Sequence, residues 1–211
     1  IAIGVWCRVN IADHEGLAFR EPFENLLTQG MVRKGGTAMS SSTGNVVSPR
    51  PFVERFGADT GRLFMMNAAQ PEKDFDWTEE GARSAHQFLQ NLHALAVDLA
   101  EERIDGGERE AIGEYVDRET DAVAATATEE FEAFRFNHAL QGVRELVSLL
   151  RRYREHTDPN LDIYERAIAV TAKLLAPITP HVAEEIWELL GRDGLIAEAD
   201  WPTTETPEGY D

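Results

Sequence analysis

The segment TAMSSSTGNVVSP, residues 37–49, holds three consecutive serines, a glycine and an asparagine, and it carries no charged side chain in a chain rich in charge. Small residues let a backbone come close to a ligand, and hydroxyls beside exposed N–H groups are suitable donors for phosphate oxygens. Gly44 can adopt the left-handed backbone region that other residues reach only under strain. The stretch therefore makes chemical sense as a nucleotide-phosphate cradle, although a plain flexible Ser/Gly loop has the same composition. It is not a Walker-type loop, because no Gly-Lys-Ser/Thr follows at the required spacing.

A second set of residues points to a different ligand. RRYREH, with Arg151, Arg152 and Arg154, is the one basic cluster in an acidic chain. Guanidinium groups pair bidentately with phosphates, which makes this a candidate RNA contact. The competing reading is a solvated helix C-terminus whose positive charge complements the helix dipole. Tyr153 would either stack on a base or pack inward, and its spacing from Leu146 and Leu150 favours packing. Asp74, Asp76, Glu79 and Glu80 suggest a cation site less well than they suggest a charged turn entering a helix, so no metal site is expected. Arg62 in ADTGRLFMM reads as a buried ion-pair partner of Asp59, ahead of a ligand contact.

The elements that must position these groups change character along the chain. Up to about Pro71, short apolar runs are broken by Gly, Pro, Asn and Ser. From Thr78 the apolar positions fall at helical spacing. Thr78 reads as an N-cap with Glu79 and Glu80 in the first turn. Ala85, Phe88, Leu89, Leu92, Leu95, Ala96 and Leu99 then form one stripe, which DGG at 105–107 ends. A second helix is predicted over roughly 111–133, with Val116, Val123 and Phe131 inward. A third is predicted from an Asn137 cap through Leu140, Val143, Leu146, Val147, Leu150 and Tyr153. A fourth starts at an Asp158 cap with Pro159 in its first turn, carries Leu161, Tyr164, Ile168, Leu174 and Leu175, and ends at Pro177. The fifth uses Thr179 and Pro180 in the same way and runs through Val182, Ile186 and Leu189 to Gly191. Trp187 with Ile186 and Leu189, and the pair Phe131 and Phe134, read as core anchors.

Five amphipathic helices with short links predict a mostly α protein built on an antiparallel helical bundle. The tail after Trp201 reads as loose. With 211 residues, 43% of them hydrophobic, the chain is long enough for a real core. It has no run of about 18 apolar residues, so no membrane helix is expected and a cytoplasmic location is. The single cysteine, Cys7, excludes an internal disulfide and reads as a small buried hydrophobe. The start at Ile1, with no initiator methionine, reads as a piece of something longer.

Against 38 Asp and Glu stand 20 Lys and Arg, of which only Lys34, Lys73 and Lys173 are lysine, for a net charge of -18. Such a field repels nucleic acid in ordinary buffer. Two readings follow. Either the partner is not a polyanion, or the chain works in concentrated salt, where the Debye length falls to about 3 Å near 1 M. Near-absence of lysine on an acidic surface favours salt adaptation.

The order of residues in MSSSTGNVVSP resembles the second signature of class I aminoacyl-tRNA synthetases, Lys-Met-Ser-Lys-Ser-x-Gly-Asn. EPFENLLTQGMV, FGADTGRLFMMNAAQPEKDFDWTEEGARSAHQFLQNL and LLAPITPHVAEEIWELLG are similar to leucyl-tRNA synthetase of the bacterial type. The resemblance runs from about residue 16 to Trp201. It implies the end of a Rossmann-type catalytic domain with little strand over residues 1–77, and an anticodon-binding-type helical bundle over 78–201. It further implies that Met39, Ser40, Ser41, Ser42, Gly44 and Asn45 belong to an ATP site, with Ser40 and Asn45 making structural or phosphate contacts. The complete enzyme would use ATP, with magnesium, and leucine to charge tRNA(Leu).

The departures matter as much as the matches. The family's first lysine falls on Ala38, its second on Ser41, and Thr43 stands where a further lysine is common. Loss of the first removes a cation that offsets charge on the leaving pyrophosphate, for which Arg33 or Lys34 is the nearest replacement. No His-Ile-Gly-His-like motif surrounds His14, His86, His93, His138, His156 or His181. The rest of the catalytic domain and any editing domain would lie outside these residues, so the chain alone is expected to be inactive. A non-catalytic synthetase-like module that binds RNA or protein, with a decayed loop, is the alternative.

Overall fold

A computed structural model describes residues 27–108, 110–156 and 158–202, so Cys7, His14 and the tail after Pro202 lie outside the described residues. Three short strands come first: β1 (Val32–Lys34), β2 (Thr37–Ala38) and β3 (Phe75–Asp76). They form one sheet in the order β2-β1-β3. Gly35 and Gly36 have φ of 62° and 73°, the backbone that a two-residue hairpin between β1 and β2 requires. β1 and β2 pair antiparallel with Arg33 opposite Ala38, and β1 and β3 pair parallel with Arg33 opposite Asp76.

Seven helices follow among the described residues: α1 (Pro49–Phe56), α2 (Ala58–Ala68), α3 (Glu79–Ala100), α4 (Ala111–Glu132), α5 (Phe136–His156), α6 (Leu161–Leu175) and α7 (Pro180–Leu189), then a 3-10 turn at Ile196–Glu198. The expected bundle is present as α3 to α7. Thr78 caps α3, its side chain accepting from the Gly81 amide at 3.1 Å. The inward stripes close one core, with Leu92, Ala96, Val116, Leu140, Val143, Leu150, Tyr164, Ile168, Leu174 and Ile186 at 0% exposure. Burial of this much apolar surface is the main favourable contribution to folding. None of the helices is long and apolar enough to cross a membrane.

Five details differ from the expectation. α3 ends at Ala100, before DGG, and Glu102 just beyond it takes φ 52°. α1 and α2 occupy a stretch that reads as broken apolar runs, because Pro49 and Pro51 sit at the start of α1, where a proline is compatible with a helix. α6 is capped by Asn160, whose Oδ1 accepts from the Ile163 amide at 3.1 Å, so Asp158 lies before the cap. α5 begins at Phe136, which puts Asn137 inside the first turn instead of at the cap. Phe134 is 51% exposed in the short link after α4, at φ 57°, and is no core anchor, whereas Phe131 packs against the core.

Candidate nucleotide loop and nucleic-acid interface

The serine loop leaves β2 and is held by its own polar groups. The Asn45 side chain closes it: Oδ1 accepts from the Ser40 amide at 2.9 Å, and Nδ2 donates to the Ala38 carbonyl at 3.1 Å and the Thr37 carbonyl at 3.4 Å. The Thr43 and Gly44 amides both donate to the Ser40 carbonyl, at 3.2 and 3.1 Å. Ser40 Oγ lies 2.7 Å from Ser42 Oγ and accepts from the Ser42 amide at 3.3 Å. Gly44 has φ 70°, a conformation that a side chain would strain. Met39, Ser40 and Asn45 are half-buried, while Ser41, Ser42, Thr43 and Gly44 face solvent. Asn45 is thus the loop's internal strut, and the exposed hydroxyls are its outward donors.

The hairpin before the loop is fastened by β3 and the turn leading to it. Asp74 Oδ1 accepts from the Met31 amide at 2.7 Å, and the other oxygen pairs with the Arg33 guanidinium. Asp76 Oδ1 accepts from the Gly36 amide at 2.8 Å. The Met31 amide, and then the charge of Arg33, hold the Asp74 carboxyl below its usual range against an opposing desolvation effect. Asp74 and Asp76 therefore serve the hairpin, and Glu79 pairs with Arg83 at 2.7 Å. Among the described residues no three His, Cys, Asp or Glu side chains converge as a metal site. The register sets Arg33 directly across from Ala38, and Lys34 across from Thr37.

The arginines of RRYREH do not share one surface. A helical residue advances by about 100° per position, so Arg151 and Arg152 diverge. Arg151 lines a groove between α3 and α5, and among the described residues its ion-pair contact is with Glu155 at 3.7 Å. Arg152 faces α4 beside Tyr115, Glu119 and Glu145. Arg154 pairs with Asp98 of α3 at 2.7 Å. Tyr153 is buried, and its hydroxyl accepts from the Asn160 amide at 2.8 Å, so it packs inward.

Two features escape sequence inspection. Asp59 and Arg62 do not pair with each other, because both are drawn to the turn between α6 and α7. The buried Asp59 accepts from the Val182 amide at 2.8 Å and contacts His181 Nδ1 at 2.8 Å, while Arg62 donates to the carbonyls of Ile178 at 2.6 Å and Pro177 at 3.0 Å. A carboxylate at the start of α7 and a guanidinium at the end of α6 each suit the local helix dipole. α2 thereby clamps the loop-bearing segment to the bundle. The second feature is Arg144, seven residues before Arg151 and on the same side of α5 by helical spacing, which also lines the α3–α5 groove.

The family model for tRNA synthetases class I (I, L, M and V) matches residues 4–78, and that for the anticodon-binding domain of tRNA ligase matches 114–210. A leucine–tRNA ligase of Halobacterium salinarum is 49% identical over 195 residues, covering 92% of this chain and 22% of the relative. One from a Geobacter species is 40% identical over 198 residues, covering 90% and 23%. The chain thus spans less than a quarter of the length of these curated relatives. Among solved structures, the LeuRS of Agrobacterium radiobacter, in a ternary complex with tRNA and LeuAMS, aligns with a TM-score of 0.80 at 26% identity over 96% of this chain and 26% of that one. A Mycobacterium tuberculosis methionyl-tRNA synthetase bound to methionyl-adenylate aligns at 0.67 and 20% identity over 78% of this chain and 38% of its own, a likeness of fold alone. The signature loop, the helical bundle and these matches along nearly the whole sequence establish that the chain belongs to the leucine–tRNA ligase family of class I synthetases, as a segment of it.

Proposed function

We propose that this chain is the part of a leucine–tRNA ligase that lends one wall to the ATP site and supports the tRNA. On this reading residues 1–77 end the catalytic domain and 78–201 form the anticodon-binding-type bundle, in a cytoplasmic enzyme. The loop takes up the pyrophosphate end of ATP while leucine's carboxylate attacks the α-phosphate and pyrophosphate leaves; the adenylate then passes leucine to the terminal ribose of tRNA(Leu). The observation that carries the reading is the Asn45 strut, which fixes the Ser40 backbone and presents Ser41 and Ser42 outward. Preorganised donors of this kind act where charge develops in the transition state. The loop offers hydroxyls and amides but no carboxylate, so magnesium bound with ATP would take its protein ligands from elsewhere.

Ala38 favours a second reading, a synthetase-like binding module without catalysis. Against it, Arg33 stands across the hairpin from Ala38, close enough in register to supply a cation if its pair with Asp74 opens. The two readings separate on one assay. Leucine-dependent ATP–pyrophosphate exchange by the complete polypeptide containing this segment supports the ligase, and its absence supports the module. The 211-residue chain alone is expected to show no exchange above blank, since it holds no His-Ile-Gly-His-like partner for the loop. Ala38→Lys in the complete polypeptide is expected to raise the exchange rate; an unchanged rate would mean that another cation already serves the pyrophosphate.

A further inference from the structure

We propose that the groove between α3 and α5 is a binding site for the phosphate backbone of RNA, anchored by Arg144. The inference deepens the tRNA-supporting reading of the bundle and rests on it. α5 contributes Arg144, Ser148 and Arg151, which follow one another by four and three residues on one helix face, and α3 contributes Ser84, Gln87 and Asn91. These groups line a groove of about 270 Å³ whose floor is Phe88, Leu95 and Val147. Among the described residues no carboxylate lines it, in a chain with 38 acidic residues against 20 Lys and Arg.

Arg144 is the unusual member. Arg33, Arg83, Arg103, Arg135, Arg154, Arg166 and Arg192 each pair with a carboxylate, and of the arginines among the described residues Arg144 is the one with a buried nitrogen that lacks a partner. Arg144 makes no ion pair among the described residues; its guanidinium lies over the Phe88 ring, 4.8 Å from the centroid, and its Nε is buried without a hydrogen-bond partner. Burial lowers its pKa from the ordinary arginine value, as desolvating an uncompensated cation must. A half-buried charge without a partner is unfavourable until an anion completes it. Arg144 and Arg151 stand two helical turns apart, about 10 Å along the axis. Two cations spaced along one groove suit the successive phosphates of a polynucleotide backbone. The amides of Gln87 and Asn91 and the hydroxyls of Ser84 and Ser148 then supply neutral contacts along the groove.

The test uses the complete polypeptide, labelled tRNA(Leu) and a salt series. Arg144→Met keeps the apolar stem over Phe88 and removes the charge. It should weaken tRNA binding about 5- to 10-fold and reduce the slope of log K against log salt by roughly 0.7 to 1, with partial recovery in Arg144→Lys. Ser148 is exposed, so Ser148→Glu puts a carboxylate into the groove without disturbing the core and should weaken binding to a similar extent; it decides the matter if Arg144→Met fails to fold. Wild-type affinity and slope in Ser148→Glu and in every folded Arg144 variant would overturn the groove while leaving the tRNA reading intact. No tRNA binding by the wild type would overturn both. Tight binding of inorganic phosphate or pyrophosphate, abolished by Arg144→Met while tRNA affinity is unchanged, would make this a free-anion site and overturn the RNA assignment.

Discussion

The loop-bearing segment and the bundle are stabilised by opposite means. Between Met31 and Asn45 the hairpin and loop are held by hydrogen bonds to Asp74, Asp76 and Asn45, nearly all at the surface. From α2 onward the fold is held by a closed apolar core that already includes Leu63 and Phe64. The loop can therefore lose a polar contact and change shape without unfolding the molecule, whereas a lost methylene in the bundle affects everything packed on it. The clamp from α2 joins the two regions, with Asp59 and Arg62 tying α2 to the α6–α7 turn.

Substitutions should separate the two regimes. Leu150→Ala, at a site with 0% exposure, is expected to cost about 2–5 kcal/mol and lower Tm by on the order of 10 °C in thermal unfolding; a shift within 1 °C would mean that the bundle core is not what stabilises the fold. Asp59→Ala removes a buried carboxylate from two partners and should cost about 1.5–3 kcal/mol. Amide exchange at Val182 should also rise, and unchanged protection there would dispose of the clamp. Screening of the acidic surface predicts a melting temperature that climbs by several degrees between about 0.1 and 2 M KCl, whereas a flat curve would argue against salt adaptation. Asn45→Ala should alter stability by no more than about 1 kcal/mol while loosening residues 38–45, visible as faster amide exchange at Ser40. The smallest effect concerns Asp74. Its folded pKa is lowered, so its contribution is fully present above the ordinary carboxylate range and fades as pH falls through the folded value. Met31 and Arg33 signals should therefore shift at acid pH in the wild type and not in Asp74→Asn.

How much could be read from the sequence differs between the regions for the same physical reason. α3 to α7 announce themselves because a buried helix face must repeat its apolar residues at 3.6-residue spacing, and Thr78 marks a start that local chemistry alone determines. Asp158 and Asn160 are both good cap residues two positions apart, and only the geometry at Ile163 separates them. Asp59 and Arg62 sit at a spacing that suits an intrahelical pair, yet the helix termini of α6 and α7, distant in sequence, hold both. The loop's makeup points to a cradle, but the strut role of Asn45 depends on a turn that composition does not encode. RRYREH looks like one patch when written as a line; wound into α5 it divides, with Arg152 turned toward α4 and Arg151 and Arg154 toward α3, and the residue that joins Arg151 in its groove is Arg144, hidden two turns away in RELVSLL.

The central claim, that the serine loop assists pyrophosphate release in leucine activation, is tested most directly by leucine-dependent ATP–pyrophosphate exchange in the complete polypeptide with Asn45→Ala against the wild type. The account predicts a loss of roughly 10²-fold in rate with Tm within about 2 °C of the wild type. Full exchange by the Asn45→Ala protein, with residues 38–45 shown to be loosened, would contradict it.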